Sequence, residues 1–105
     1  MHTIQDYVDA LNTTSISHTR ERGYGDHLLT VFRVEKGGRK YHKVVKEYAD
    51  DSMGRGLSVH SFVDKETGDI FKPASWNGPA KGARHNLRDL MKIPLDIYGS
   101  YLYKW

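Results

Sequence analysis

Four short segments rich in β-branched and aromatic residues constrain the fold of this 105-residue chain more than any other feature. Such side chains suit the pleated, half-buried surface of a strand. The four predicted strands are residues 27–35, 39–48, 57–64 and 69–72. Glycine-containing polar segments separate them, and the predicted turns and loops are residues 36–38, 49–56 and 65–68. The pattern predicts a four-stranded antiparallel meander, and Pro73 is expected to stop its last strand or confine it to a sheet edge.

A helix is predicted before the meander. Thr3 is a suitable N-cap, and Asp6 stands three residues later in the capping-box position. The apolar stripe recurs at helical spacing and consists of Ile4, Tyr7, Val8 and Leu11. The polar residues 12–14 are expected to end this helix. Residues 13–26 lack periodicity and contain two glycines, so we expect them to form a loop.

A second helix is predicted after the meander. Pro79 suits the first helical position, with Asn77 or Gly78 as the cap. The helix is expected to run to about Lys92, because Pro94 would end it. Its predicted buried stripe consists of Ala80, Ala83, Leu87, Leu90 and Met91.

These elements predict an α+β fold in a single domain, residues 1–105. Its order is an N-terminal helix, a four-stranded antiparallel meander, a second helix packed on the sheet and an aromatic C-terminal tail. The tail is expected to form an extra strand or to dock, either on this domain or on a second copy in a homodimer. Its aromatic residues are Tyr98, Tyr101, Tyr103 and Trp105.

The composition excludes several kinds of site. The chain has no cysteine, which excludes disulfides, thiolate metal sites and cysteine nucleophiles. No run approaches the roughly 18 consecutive apolar residues of a membrane span, so no membrane partner is expected. The first residues include acids and lack a basic stretch, which is atypical of a secretory signal. We therefore expect a cytoplasmic protein.

Basic and acidic residues are unevenly distributed, although the net charge is only +3. Residues 36–46 hold five lysines or arginines without an acid, and residues 70–88 also lack acids. Such segregation indicates a polyanionic partner. The alternative is two solvated faces of opposite charge.

The start of the second predicted helix is the first candidate anion site. Lys81, Arg84 and Arg88 would share one helix face, with His85 beside it. Cations are unfavourable at the positive end of a helix dipole unless an anion binds there, and free backbone N–H groups at that end would add donors. The alternative is that the long side chains extend into solvent.

Further candidates for phosphate or nucleic-acid binding lie nearby. Arg39, Lys40 and Lys43 surround the second strand, where Tyr41 would share a face with Lys43, so that a base could stack while a phosphate is neutralised. A charged edge strand that resists aggregation is the alternative. Lys72 lies in the second basic stretch. Trp76 is placed at the mouth of the anion site, and burial in the core is favoured over stacking on a base.

The six histidines do not predict a metal site, because no HExxH or HxH spacing occurs. His60 and His85 could meet between the sheet and the second helix and perform acid–base chemistry on phosphodiesters. The alternative is that both are structural or solvent-facing. We predict no cofactor and no catalytic residue.

Residues 57–87 resemble a segment of small proteins of tailed bacteriophages. The similarity is carried by Thr67-Gly68-Asp69, by "KPASW" at 72–76 and by "PAKGAR" at 79–84. It implies a phage setting, in the host cytoplasm, and partners such as host machinery, nucleic acid or signalling nucleotides. The predicted element order is also similar to that of double-stranded-RNA-binding domains, which grip phosphates at the N-terminus of their last helix.

The expected function is that of a non-enzymatic binding protein for a phosphate-bearing partner. Nucleic acid is the first choice and a small, for instance cyclic, nucleotide the second. The alternative is an inhibitor of a host protein that acts by protein–protein binding. Phosphate contacts would give steep salt dependence, which separates the two.

Overall fold

The computed structural model describes residues 2–23, 29–35, 38–49 and 56–103. Within these ranges, α1 spans Ile4–Arg22, and strands follow in the order β1 (Thr30–Glu35), β2 (Tyr41–Tyr48), β3 (Ser58–Asp64), β4 (Asp69–Phe71), β5 (Pro73–Ser75), β6 (Gly78–Pro79) and β7 (His85–Asn86). Among the described residues, 3-10 helices follow at Leu87–Lys92 and at Ser100–Leu102. The predicted turn at 36–38 and loop at 49–56 fall largely outside the described residues.

A five-stranded antiparallel sheet forms the centre of the fold, in the order β1-β2-β3-β4-β7. The α+β class and the predicted meander are therefore confirmed. The β2–β3 register is irregular: Val44 pairs with Ser61 and Val45 with Val59, so His60 is an extra residue in β3. A bulge of this kind turns neighbouring side chains toward the same side, and both His60 and Ser61 are buried.

The short β5–β6 hairpin contacts β3 and forms a separate two-stranded sheet. Pro73 does end the fourth strand, as predicted, but it also begins β5. Pro73 has no N–H group to donate to a strand partner. It is tolerated here because the hairpin lies outside the main sheet, where that hydrogen bond is not required.

The start of α1 is formed as predicted. The Asp6 N–H donates to Thr3 Oγ1 over 3.1 Å, and the Thr3 N–H donates to the Asp6 carboxylate over 2.8 Å. Tyr7, Val8 and Leu11 are buried on the sheet side.

The predicted end of α1 at residues 12–14 is wrong, because the helix continues to Arg22 and ends at Gly23, whose φ is 69°. The polar residues continue the helix because two of their side chains hydrogen-bond to the backbone of β1. The Asn12 side chain bonds to the backbone of Phe32, and the Ser15 hydroxyl donates to the carbonyl of Thr30. Contacts with β1 thus override the local signal for a loop. Residues 24–26 of that predicted loop lie outside the described residues.

The predicted second α-helix is also wrong. Residues 78–86 form β6, a turn and β7, and only Leu87–Lys92 are helical, as a 3-10 helix. Gly82 has a left-handed φ of 88°, and the Arg84 N–H donates to the carbonyl of Ile70, which leads the chain into pairing with β4. Of the predicted stripe, Leu87 and Leu90 are buried, whereas Ala83 and Met91 are exposed.

One hydrophobic core fills the space between α1, the sheet and the C-terminal segment. Tyr101 and Leu102 are buried in it, so the tail docks on its own domain and forms a 3-10 helix rather than a strand. Tyr98 and Tyr103 remain exposed. A homodimer through these exposed rings stays a prediction.

Candidate nucleic-acid interface

The candidate site lies on the face of the sheet opposite α1. Val44 is part of the core beside α1, and side chains alternate along a strand, so Tyr41 and Lys43 project from the other face. Pairing with β3 places Lys43 opposite Phe62. The second candidate group of the sequence, around β2, is therefore brought to one surface.

Aromatic rings hold Tyr41 in place on this face. Its ring meets Phe62 edge-to-face with 6.2 Å between centroids and Phe71 with 5.7 Å. Such perpendicular arrangements are favourable for aromatic pairs. Tyr41 is therefore a positioned ring rather than a freely rotating surface side chain. Phe62 and Phe71 were not among the predicted site residues, although two aromatic residues in neighbouring predicted strands were a usable signal.

Trp76 stands in the turn of the β5–β6 hairpin and is 42% exposed. Its predicted burial in the core is therefore wrong, because the hairpin places the ring over the sheet surface instead of beneath it. The ammonium of Lys43 lies 4.5 Å from the centroid of the Trp76 ring, within cation–π range. The ring and a cation thus form a pair at the surface.

A cavity of about 370 Å³ opens beside this pair. The described residues that line it are Gly38, Arg39, Lys40, Tyr41, Lys43, Phe62 and Asn77, of which three are basic and none is acidic. A second hollow of about 290 Å³ is lined by Ser58, Val59, Pro73, Ala74, Ser75 and Trp76. We call the five residues Arg39, Lys40, Tyr41, Lys43 and Trp76 the basic–aromatic surface.

Carboxylates close to this surface have cationic or hydrogen-bonding partners of their own. Arg33 lies 3.1 Å from both Glu35 and Glu47, and this pairing with Glu47 raises the pKa of the guanidinium. The backbone N–H groups of Thr67 and Glu66 lower the pKa of Asp64, with a smaller contribution from Lys40. Arg33 thus engages the two glutamates of β1 and β2, while the Lys43 ammonium lies against Trp76.

The sequence from residue 2 to residue 104 matches the model of DUF7717, a family of unknown function. The chain belongs to the DUF7717 family. No curated protein and no solved structure matches it.

In this DUF7717 member, the cations of the predicted helix start are dispersed. Lys81 is exposed in a turn, the Arg84 Nε–H donates to the carbonyl of Leu102 over 3.1 Å, and Arg88 lies 3.6 Å from Asp89. They do not share a helix face, because no α-helix passes through 79–86. The similarity to double-stranded-RNA-binding domains depended on that helix, so it loses its basis as well. Phosphate binding by these residues stays a prediction without that geometric support.

Two further predicted site residues contact the C-terminal tail. His85 Nε2 lies 2.9 Å from the carbonyl oxygen of Tyr101, and the Lys72 ammonium lies 5.1 Å from the ring centroid of Tyr103. Each residue therefore has a structural contact with the C-terminal segment.

His60 and His85 approach a common ring. The centroids of the two imidazoles lie 5.9 Å and 5.6 Å from that of Tyr101. The pKa of His60 is lowered to about 4, mainly by burial and also by Lys46, whereas Asp96 opposes the shift. His60 Nδ1 lies 3.1 Å from Ser61 Oγ, but both residues are buried. This serine–histidine contact therefore lies in the interior of the described part of the chain.

Among the described residues, no group of three histidine, aspartate or glutamate side chains is arranged to hold a metal ion. Within the same part of the chain, no helix is both long enough and apolar enough to cross a membrane.

Proposed function

We propose that this DUF7717 member is a non-enzymatic protein that binds a phosphate-bearing partner, nucleic acid first of all, on its basic–aromatic surface. The observation that carries the proposal is the contact of the Lys43 ammonium with the exposed ring of Trp76, beside a cavity to which Arg39 and Lys40 contribute. Proteins that bind nucleic-acid strands without strong sequence preference combine cations that follow the phosphates with aromatic rings on which bases stack.

The electrostatics of the surface support an anionic partner. Three of the described lining residues of the larger cavity are basic, and the neighbouring glutamates of β1 and β2 are held by Arg33. A phosphate brought to this surface meets the ammonium of Lys43, which lies over the ring of Trp76, and the basic side chains of Arg39 and Lys40. Such contacts steer an anionic ligand and release counterions from it.

The buried histidine supports a binding role rather than a catalytic one. His60 and Ser61 lie within hydrogen-bond distance of one another, but Ser61 is also 2.9 Å from the Tyr7 hydroxyl in the interior. The contact of Ser61 with Tyr7, and that of the His60 ring with Phe32, favour a role in holding the core together.

The proposal includes a setting. The resemblance of residues 57–87 to small tailed-phage proteins supports action in the host cytoplasm.

A small nucleotide is the second ligand of the same class, since the cavity of about 370 Å³ falls within the size range of small-molecule sites.

The test is a salt titration of binding to labelled oligonucleotides with two charge-matched variants. One carries Arg39→Ala, Lys40→Ala and Lys43→Ala; the other carries Lys81→Ala, Arg88→Ala and Lys92→Ala. We expect binding to fall with salt, and the first variant to lose up to about two units of slope, at roughly 0.7 per phosphate contact on a single strand. The second variant should bind like the wild type. Loss of binding in the second variant alone would place the site among residues 81–92, and no binding at low salt would rule out nucleic acid.

A second candidate function is the binding of a protein partner, as in inhibition of a host protein. Between α1 and the first 3-10 helix lies a hollow of about 450 Å³ with an apolar part and two carboxylates. Its lining includes Asp6, Asp9, Leu90, Met91 and Ile93, and Met91 is 84% exposed. This combination fits a partner segment with apolar and cationic side chains.

A synthetic amphipathic peptide of leucine and lysine probes this second candidate. Binding should weaken several-fold in both Met91→Ala and Asp9→Asn and persist in Trp76→Ala. Equal binding to the wild type and to Met91→Ala would contradict it.

A further inference from the structure

We infer that the basic–aromatic surface takes an unpaired strand, with two successive bases in its two hollows and the phosphate that links them at Lys43. This inference rests on the proposed function and narrows it from nucleic acid in general to unstacked, single-stranded segments.

The arrangement of the two hollows carries the inference. Lys43 lines the larger hollow, Trp76 lines the smaller one, and their contact of 4.5 Å joins the two. A cation therefore stands between two recesses that both contain an aromatic or apolar wall. A single-stranded nucleic acid has the same alternation, with a phosphate between consecutive bases.

The larger hollow has the chemistry for a nucleobase. Tyr41 supplies the aromatic surface, since Phe62 in the floor of the hollow is only 3% exposed, and Asn77 supplies an amide that both donates and accepts hydrogen bonds. The ammonium of Lys40 lies 5.3 Å from the Tyr41 ring centroid, so a cation is also placed beside the stacking surface.

The smaller hollow is more apolar. Trp76, Pro73 and Val59 provide flat or apolar contact, and the hydroxyls of Ser58 and Ser75 provide limited hydrogen bonding. A π-face fits such a recess whichever base carries it, so strong base preference is not expected there.

A duplex does not match these features. Its bases are stacked and paired, so their faces are closed to Tyr41 and Trp76, whereas unpaired bases can be splayed onto aromatic side chains.

The test uses three labelled probes of one length: a single strand, the same strand with abasic positions, and the duplex. We expect the single strand to bind at least tenfold more tightly than either of the other probes. Trp76→Ala should weaken single-strand binding by about 5- to 100-fold, the range of one lost stacking contact. Trp76→Phe, which keeps a ring, should recover most of the affinity.

A Trp105→Phe protein leaves Trp76 as the sole tryptophan and gives a second readout. Its fluorescence should be quenched by the single strand and not by the abasic strand. Equal binding of all three probes, or unchanged affinity in Trp76→Ala, would overturn the inference and leave the proposed function intact. Binding of none of the probes at low salt would remove nucleic acid as the partner in the proposed function.

Discussion

The side-chain amide of Asn12 makes two hydrogen bonds with the backbone of Phe32, donating to its carbonyl over 3.0 Å and accepting from its N–H over 2.8 Å. β1 is an edge strand of the five-stranded sheet, and Phe32 belongs to it. An unpaired edge is a template for pairing with another chain. α1 therefore covers this edge, because its Asn12 side chain occupies backbone groups of β1 with which a sixth strand would otherwise pair.

Asn12→Ala should destabilise the protein by about 1–3 kcal/mol, because the Phe32 N–H and carbonyl lose their partners. Thr13→Ala is the matched control: Thr13 is exposed on the same helix, and its helix propensity is close to that of asparagine. The urea unfolding midpoints of the two variants, each compared with that of the wild type, measure both losses of stability. Equal midpoints for the two variants would show that the edge contacts contribute nothing.

A double-mutant cycle should detect coupling between Tyr7 and Tyr101, whose buried hydroxyls lie 2.7 Å apart. Burial raises the pKa of Tyr7 to about 12 and also raises that of Tyr101, so both are neutral near pH 7. We expect Tyr7→Phe to be the costlier single change, because Tyr7 also bonds to Ser61. The coupling energy should be about 0.5–3 kcal/mol, and additive effects of the two changes would argue against the pair.

His60 should make the protein less stable in mild acid. Its pKa in the folded protein is about 4, against an ordinary value of 6.5. The unfolded chain therefore binds a proton first, and the contribution of neutral His60 to stability is full above pH 6.5 and declines toward pH 4. The maximum effect is roughly 3 kcal/mol, from 1.36 kcal/mol per pKa unit.

His60→Gln removes this titration, and its unfolding free energy should fall less steeply between pH 6.5 and 4 than that of the wild type. Burial also lowers the pKa of His42, which remains in both proteins and gives a common background. The same pH slope in both proteins would contradict the assignment to His60.

Gly99→Ala should destabilise the docking of the tail. Gly99 has a φ of 75°, and an added Cβ would lie 3.4 Å from His60 Nε2 and 3.5 Å from Leu102 Cδ1. Gly23 has a similar φ of 69°, but no atom of the described residues lies within 4 Å of an added Cβ there. Gly23→Ala therefore measures left-handed strain alone, about 1–2 kcal/mol. Gly99→Ala should cost more in urea unfolding, and equal costs would show that the tail adjusts freely.

The local elements of this fold were predictable because their signals are short in range. The capping box of Thr3 and Asp6 depends on residues within one turn, and β-branched and aromatic residues marked strands that the structure places within about three residues of their predicted ends. Tyr41 and Lys43 were placed on one face for the same reason, since alternation along a strand needs no knowledge of its neighbours.

The sequence by itself determined the α+β class, the meander, the first turn of α1 and the group of cations around β2. The tertiary structure decided the rest, because the deciding contacts join residues far apart in the chain. Residues 12–15 continue a helix only because β1 offers backbone groups to Asn12 and Ser15. Residues 85–86 form a strand because β4 offers pairing partners, which compete with their helical pattern. Trp76 became a surface residue because the β5–β6 hairpin, which packs on β3, positions its ring over Lys43.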